Sequence, residues 1–105
     1  MKQDNLLLII SDGLNDKQSE FINTFVKEFE FTPEYAMFKT EDLPSEMDSF
    51  QLTKEKAEKY ELDFNKKPHF LFAVEHGSYI IPHVVEDYGI QNVIHIDHYG
   101  ERFAY

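Results

Sequence analysis

Leu6-Leu7-Leu8-Ile9-Ile10 is an unbroken apolar run set between Asp4-Asn5 and Ser11-Asp12-Gly13. A strand with one wet face alternates polar and apolar residues. A run without alternation suits a strand buried on both faces, as in a parallel sheet sandwiched by helices. His69 to Val74 (His-Phe-Leu-Phe-Ala-Val) reads the same way and ends in Glu75-His76-Gly77-Ser78. Asn92 to His98 (Asn-Val-Ile-His-Ile-Asp-His) reads as another strand. Parallel neighbours need crossovers of about a dozen residues or more, usually helices.

The intervening sequence supplies them. Asn15 is a good N-cap, and Gln18 stands three residues on as its reciprocal partner. Phe21, Ile22, Phe25, Val26 and Phe29 then recur at helical spacing and make one apolar stripe. Near the end, Ser78 can cap a helix from Tyr79 to Tyr88. Pro82 falls in that helix's first turn, where a missing N–H matters little, and Gly89 supplies the left-handed stop. The middle is less regular. Tyr35 to Lys39 reads as a short strand after Pro33, and Glu41 to Ser49 as a turn-rich stretch. Thr53 is placed to cap a second helix that ends before Asn65, with Glu55 and Lys59 as an i,i+4 pair. The expected fold is one small layered α/β domain spanning 1–105 with a mostly parallel sheet. It consists of an opening βα unit, an irregular acidic middle and a C-terminal βαβ unit.

The 105 residues carry 20 acids against 10 bases, a formal charge of −10. That balance argues against direct binding to nucleic-acid phosphates or to an anionic membrane. A hydrophobic content of 42% is too high for a disordered acidic tail. Cysteine is absent, so disulfides, thiolate zinc sites and Cys nucleophiles are excluded. The first apolar run is too short for a signal peptide, and no stretch approaches the ~20 apolar residues of a spanning helix. The cytoplasm is the expected compartment.

The charge is concentrated. Residues 28–63 hold eleven acids and four bases, a local balance of −7, with aromatic residues interleaved. Acids combined with aromatic anchors suit a basic protein partner, including one that itself binds nucleic acid. Glu34, Tyr35, Glu41, Asp42, Glu46 and Asp48 are the candidate contacts for such a binding or inhibitory role. Charge runs also simply solvate surfaces, and that reading stands beside this one.

A second candidate lies at the strand ends. In open α/β sheets ligands bind outside the carboxyl ends of the strands. Asp12, Glu75-His76 and Asp97-His98 all fall there. Carboxylates converging with imidazoles are how a chain without cysteine holds a divalent metal. The same residue types also cap helices and satisfy loop backbone.

Glu75-His76-Gly77-Ser78, Pro82 and then His95-Ile96-Asp97-His98 together resemble the metal-binding core of arginase-like ureohydrolases, over residues 69–101. The resemblance implies a manganese-dependent hydrolase. In it His76 matches a lone His ligand and Asp97 the first Asp of the family's His-x-Asp-Ala-His-x-Asp motif. The pattern departs after that point. Tyr99 stands where a ligand belongs, His98 comes one residue early, and Glu101 can replace the last acid only if Gly100 re-aims it. The family's later Asp-x-Asp motif has no counterpart. What is implied is a reduced manganese site drawn from His76, Asp97, His98, Glu101 and Asp12. The acidic-surface reading requires no cofactor.

Overall fold

A computed structural model describes residues 6–43, 50–63 and 68–105. Its strands are β1 (Leu6–Ser11), β2 (Thr32–Met37), β3 (Phe70–Val74), β4 (Val93–Ile96) and β5 (Arg102–Ala104). They form one sheet in the order β2-β1-β3-β4-β5. The first four are parallel, and β5 runs antiparallel to β4 along one edge. The helices are α1 (Asp16–Phe29), α2 (Phe50–Lys59) and α3 (Ile81–Tyr88).

The chain leaves β1 for β2 on one side, then returns across β1 to β3 on the other. With right-handed crossovers, this reversal puts α1 on one face and α2 with α3 on the opposite face. Residue parity agrees. Leu7, Ile9 and Phe72 pack with Ile22, Phe21 and Phe25 of α1, while Leu8, Ile10 and Leu71 pack with Ala57, Ile81 and Val84. The apolar runs lack alternation because both faces are covered.

On the α1 face the core is largely aromatic. The Phe25 ring lies 4.9 Å from Phe72 in an edge-on contact, and Phe21 stacks on Phe72 at 5.6 Å. Such pairs contribute about 0.5–1.5 kcal/mol beyond their area burial. The expected cap of α1 is present: Asn15 accepts from the Gln18 N–H, and the Gln18 side chain accepts from the Asn15 N–H. Gln18 Nε2 also donates to the Asp97 carbonyl at 2.9 Å, pinning the helix start to the end of β4.

Several boundaries differ from expectation. β2 begins at Thr32 and includes Pro33, which an edge strand accommodates because its outer N–H has no ladder partner. Thr53 lies inside α2 rather than capping it, although α2 does end before Asn65, at Lys59. Ser78 is not a helix cap either. Glu75–Ile80 forms a 3₁₀ segment, and α3 starts only at Ile81, with Pro82 in its first two positions. Gly89 does end α3, at φ 69. Strand β5 is new: its three exposed residues are too few to show a pattern.

Gly77 fixes the path of the chain beyond β3. A Cβ there would lie 2.3 Å from the Ile10 carbonyl oxygen, so the β3 exit packs directly on the end of β1. Among the described residues no helix is long and apolar enough to cross a membrane.

Candidate functional site

The reversal in strand order places the carboxyl ends of β1 and β3 side by side, where crevices of doubly wound sheets form. Asp12 leaves β1 there and His76 leaves β3. His76 Nδ1 lies 3.1 Å from Asp12 Oδ2, and Thr40 donates its hydroxyl to the same oxygen at 3.1 Å. Thr40 comes from the segment after β2, so three crossovers meet at one carboxylate. The Asp12 side chain is 9% exposed and that of His76 56%. The ring is thus held through Nδ1 while much of it faces solvent.

A second pair joins the ends of β3 and β4. His98 Nδ1 lies 2.6 Å from Glu75 Oε1. Glu75 takes a left-handed backbone conformation, φ 53, which costs a non-glycine residue on the order of 1–3 kcal/mol. His98 therefore pairs with Glu75 and not with its sequence neighbour Asp97.

Asp97 and Glu101 do different work. Asp97 Oδ1 accepts the backbone N–H groups of Tyr99 and Glu101 at 2.8 and 2.9 Å. The Asp97 N–H donates to the Glu101 carbonyl, and Gly100 turns the chain at φ 82. Asp97 thus organises the β4–β5 turn, the role that polar residues at strand ends share with ligation. Of the five metal candidates, among the described residues, only Asp12 and His76 meet side chain to side chain. Among the described residues no group of three or more His, Asp or Glu is arranged to hold a metal ion. His83, which carried no expected role, is buried on α3 with Nδ1 2.8 Å from Asp87 Oδ2.

The acidic middle divides into internal and external parts. Asp42 does not belong to the surface. It is 5% exposed, accepts the Tyr60 hydroxyl at 2.6 Å and Lys59 Nζ at 2.9 Å, and has Lys56 Nζ at 3.4 Å. The Tyr60 hydrogen bond first, and then Lys59, hold its carboxyl well below the usual carboxylate range. Asp42 is therefore the anchor that binds α2 to the end of β2. Glu34 and Glu41 are exposed, as expected. Tyr35 is 44% exposed, and Met37, which the sequence did not single out, is equally so. Glu46 and Asp48 lie outside the described residues.

These exposures follow from the layering. α1 packs over β1 and β3 through Phe72 and Phe70, so the α1-side residues of the outermost strand have little above them. Tyr35 pairs in register with Ile9 and shares its face. Elsewhere, a groove of ≈ 400 Å³ between α1 and the β4–β5 turn is lined by Lys17, Phe21, Tyr99 and Arg102. The Arg102 guanidinium is already engaged, stacked 4.4 Å from the Phe21 centroid and bonded to the Gly100 carbonyl. No family model matches the chain, and neither does any curated protein or solved structure.

Proposed function

We propose that this chain is a small acidic binding protein that engages a basic protein partner through the outer edge of β2. The observation that carries the reading is the exposure of Tyr35 and Met37 on an edge strand beside Glu34, within the segment of charge −7. Exposed apolar side chains supply contact area, and the surrounding carboxylates supply steering and orientation. A partner whose basic surface also meets nucleic acid would be inhibited by occupation of that surface. The test is a titration of fluorescein-labelled decalysine over a series of salt concentrations. Binding should weaken steeply with salt and measurably with Glu34→Lys and with Glu41→Lys. An affinity indifferent to salt and to both reversals contradicts the reading.

One observation favours a second reading, a divalent-metal site or metal-dependent hydrolase at the carboxyl end of the sheet. Asp12 holds His76 through Nδ1 at the junction of β1 and β3, as a carboxylate does when it orients an imidazole whose other nitrogen ligates a metal. A manganese thermal-shift titration tests it, since binding to the folded state raises the midpoint. A midpoint unmoved by manganese in the native protein removes this reading.

A further inference from the structure

Among the described residues, the outward backbone groups of β2 define a short open window. Phe38 donates its N–H to the Ser11 carbonyl of β1 at 2.8 Å. In a parallel ladder both backbone groups of a residue point the same way and the direction alternates along the strand. The even-numbered residues of β2 therefore bond to β1, and Pro33, Tyr35 and Met37 face outward. Pro33 has no N–H to offer. The next outward donor after Met37 is the Lys39 N–H, which the Tyr60 hydroxyl already accepts at 3.1 Å. Between these two stops stand the N–H groups of Tyr35 and Met37, about 6.6 Å apart at the usual rise of a strand.

The two faces of this window differ. Tyr35 and Met37 lie on the α1 side, and Glu34 lies on the side of Ala36 and Phe38. An added strand places its alternate side chains on the same two faces. We infer that the β2 edge receives an extended segment of the basic partner, with Lys or Arg on the Glu34 face alternating with apolar residues on the Tyr35 and Met37 face. The inference rests on the reading of the β2 edge as the docking surface and specifies how that surface is used. A second copy of this chain is the poorer occupant. Each copy carries −10, and an edge bearing Pro and Glu is of the kind that discourages self-pairing.

Two acetylated, amidated hexapeptides of equal charge separate strand addition from simple charge attraction. One alternates lysine with valine and the other lysine with proline, which cannot extend a ladder. The lysine–valine peptide should bind at least tenfold more tightly. Met37→Pro, which deletes one outward N–H, should reduce that advantage to under threefold, with circular dichroism confirming that the variant is folded. Equal binding of the two peptides to the native protein overturns strand addition while leaving the acidic-surface reading in place. Binding of neither peptide at low salt overturns both. If Met37→Pro does not fold, the comparison on native protein decides alone.

Discussion

The Tyr60 hydroxyl donates to Asp42 Oδ2 at 2.6 Å while accepting the Lys39 N–H at 3.1 Å. One phenol thereby ties the end of α2 to the chain leaving β2 and closes the outer edge of the sheet at Lys39. The Tyr60 ring also packs on Phe38, with centroids 4.3 Å apart, so the tie is apolar as well as polar.

Asp42→Asn should therefore lower the thermal midpoint at pH 7. The folded-state pKa of Asp42 is depressed. Its stabilisation is then fully present above the unfolded carboxylate value of about 3.9 and is lost as pH falls below it. Native and variant midpoints should converge in acid. Thermal melts of both from pH 7 to pH 2 check this, and equal midpoints at pH 7 contradict it.

Gly77→Ala forces a methyl group to within 2.3 Å of the Ile10 carbonyl oxygen. Backbone cannot yield as a flexible side chain can, so overpacking of about 1–3 kcal/mol is expected. Urea denaturation measures it. His76 should also lose its register with Asp12, seen as a changed imidazole tautomer pattern by NMR. An unchanged midpoint in urea would show that the β3 exit does not rest on β1.

Phe72 is fully buried under Phe21 and Phe25, whereas Phe103 on β5 is 52% exposed. Truncating Phe72 to Ala should destabilise by about 3–5 kcal/mol. The same change at Phe103 should stay within about 0.5 kcal/mol. Chemical denaturation of the pair checks the layering, and similar losses at both positions contradict it.

The deep parts of the fold were readable because burial on both faces leaves an unbroken apolar run. Leu6–Ile10 and Phe70–Val74 carry that signal, and the Asn15–Gln18 capping box is local chemistry within four residues. What escaped was set by distant contacts. Ser78 has the chemistry of a cap, yet Gly77 packing on Ile10 draws the chain into a 3₁₀ segment first. β5 exists because Asp97 and Gly100 turn the chain back on β4. The site was legible in part. Strand-end position singled out Asp12, His76, Asp97 and His98 but not which of them meet: the fold sets His76 against Asp12 and His98 against Glu75. Asp42 looked like one acid among eleven, because nothing local reveals that Tyr60 and Lys59 return to meet it.

Glu34→Lys and Glu41→Lys should each weaken decalysine binding roughly threefold, in keeping with about 0.2–1 kcal/mol for exposed ion pairs. His76→Ala should leave that binding unchanged. Fluorescence anisotropy at low and physiological salt reads all three. A loss at His76→Ala equal to that at Glu34→Lys would move the binding surface to the carboxyl end of the sheet.

The most direct measurement is an amide chemical-shift titration of isotopically labelled protein with the lysine–valine hexapeptide. Docking on the β2 edge predicts the largest shifts at the Tyr35 and Met37 amides, with Asp12, His76 and His98 unmoved. Shifts centred on Asp12, His76 and His98, with Tyr35 and Met37 unaffected, would contradict it.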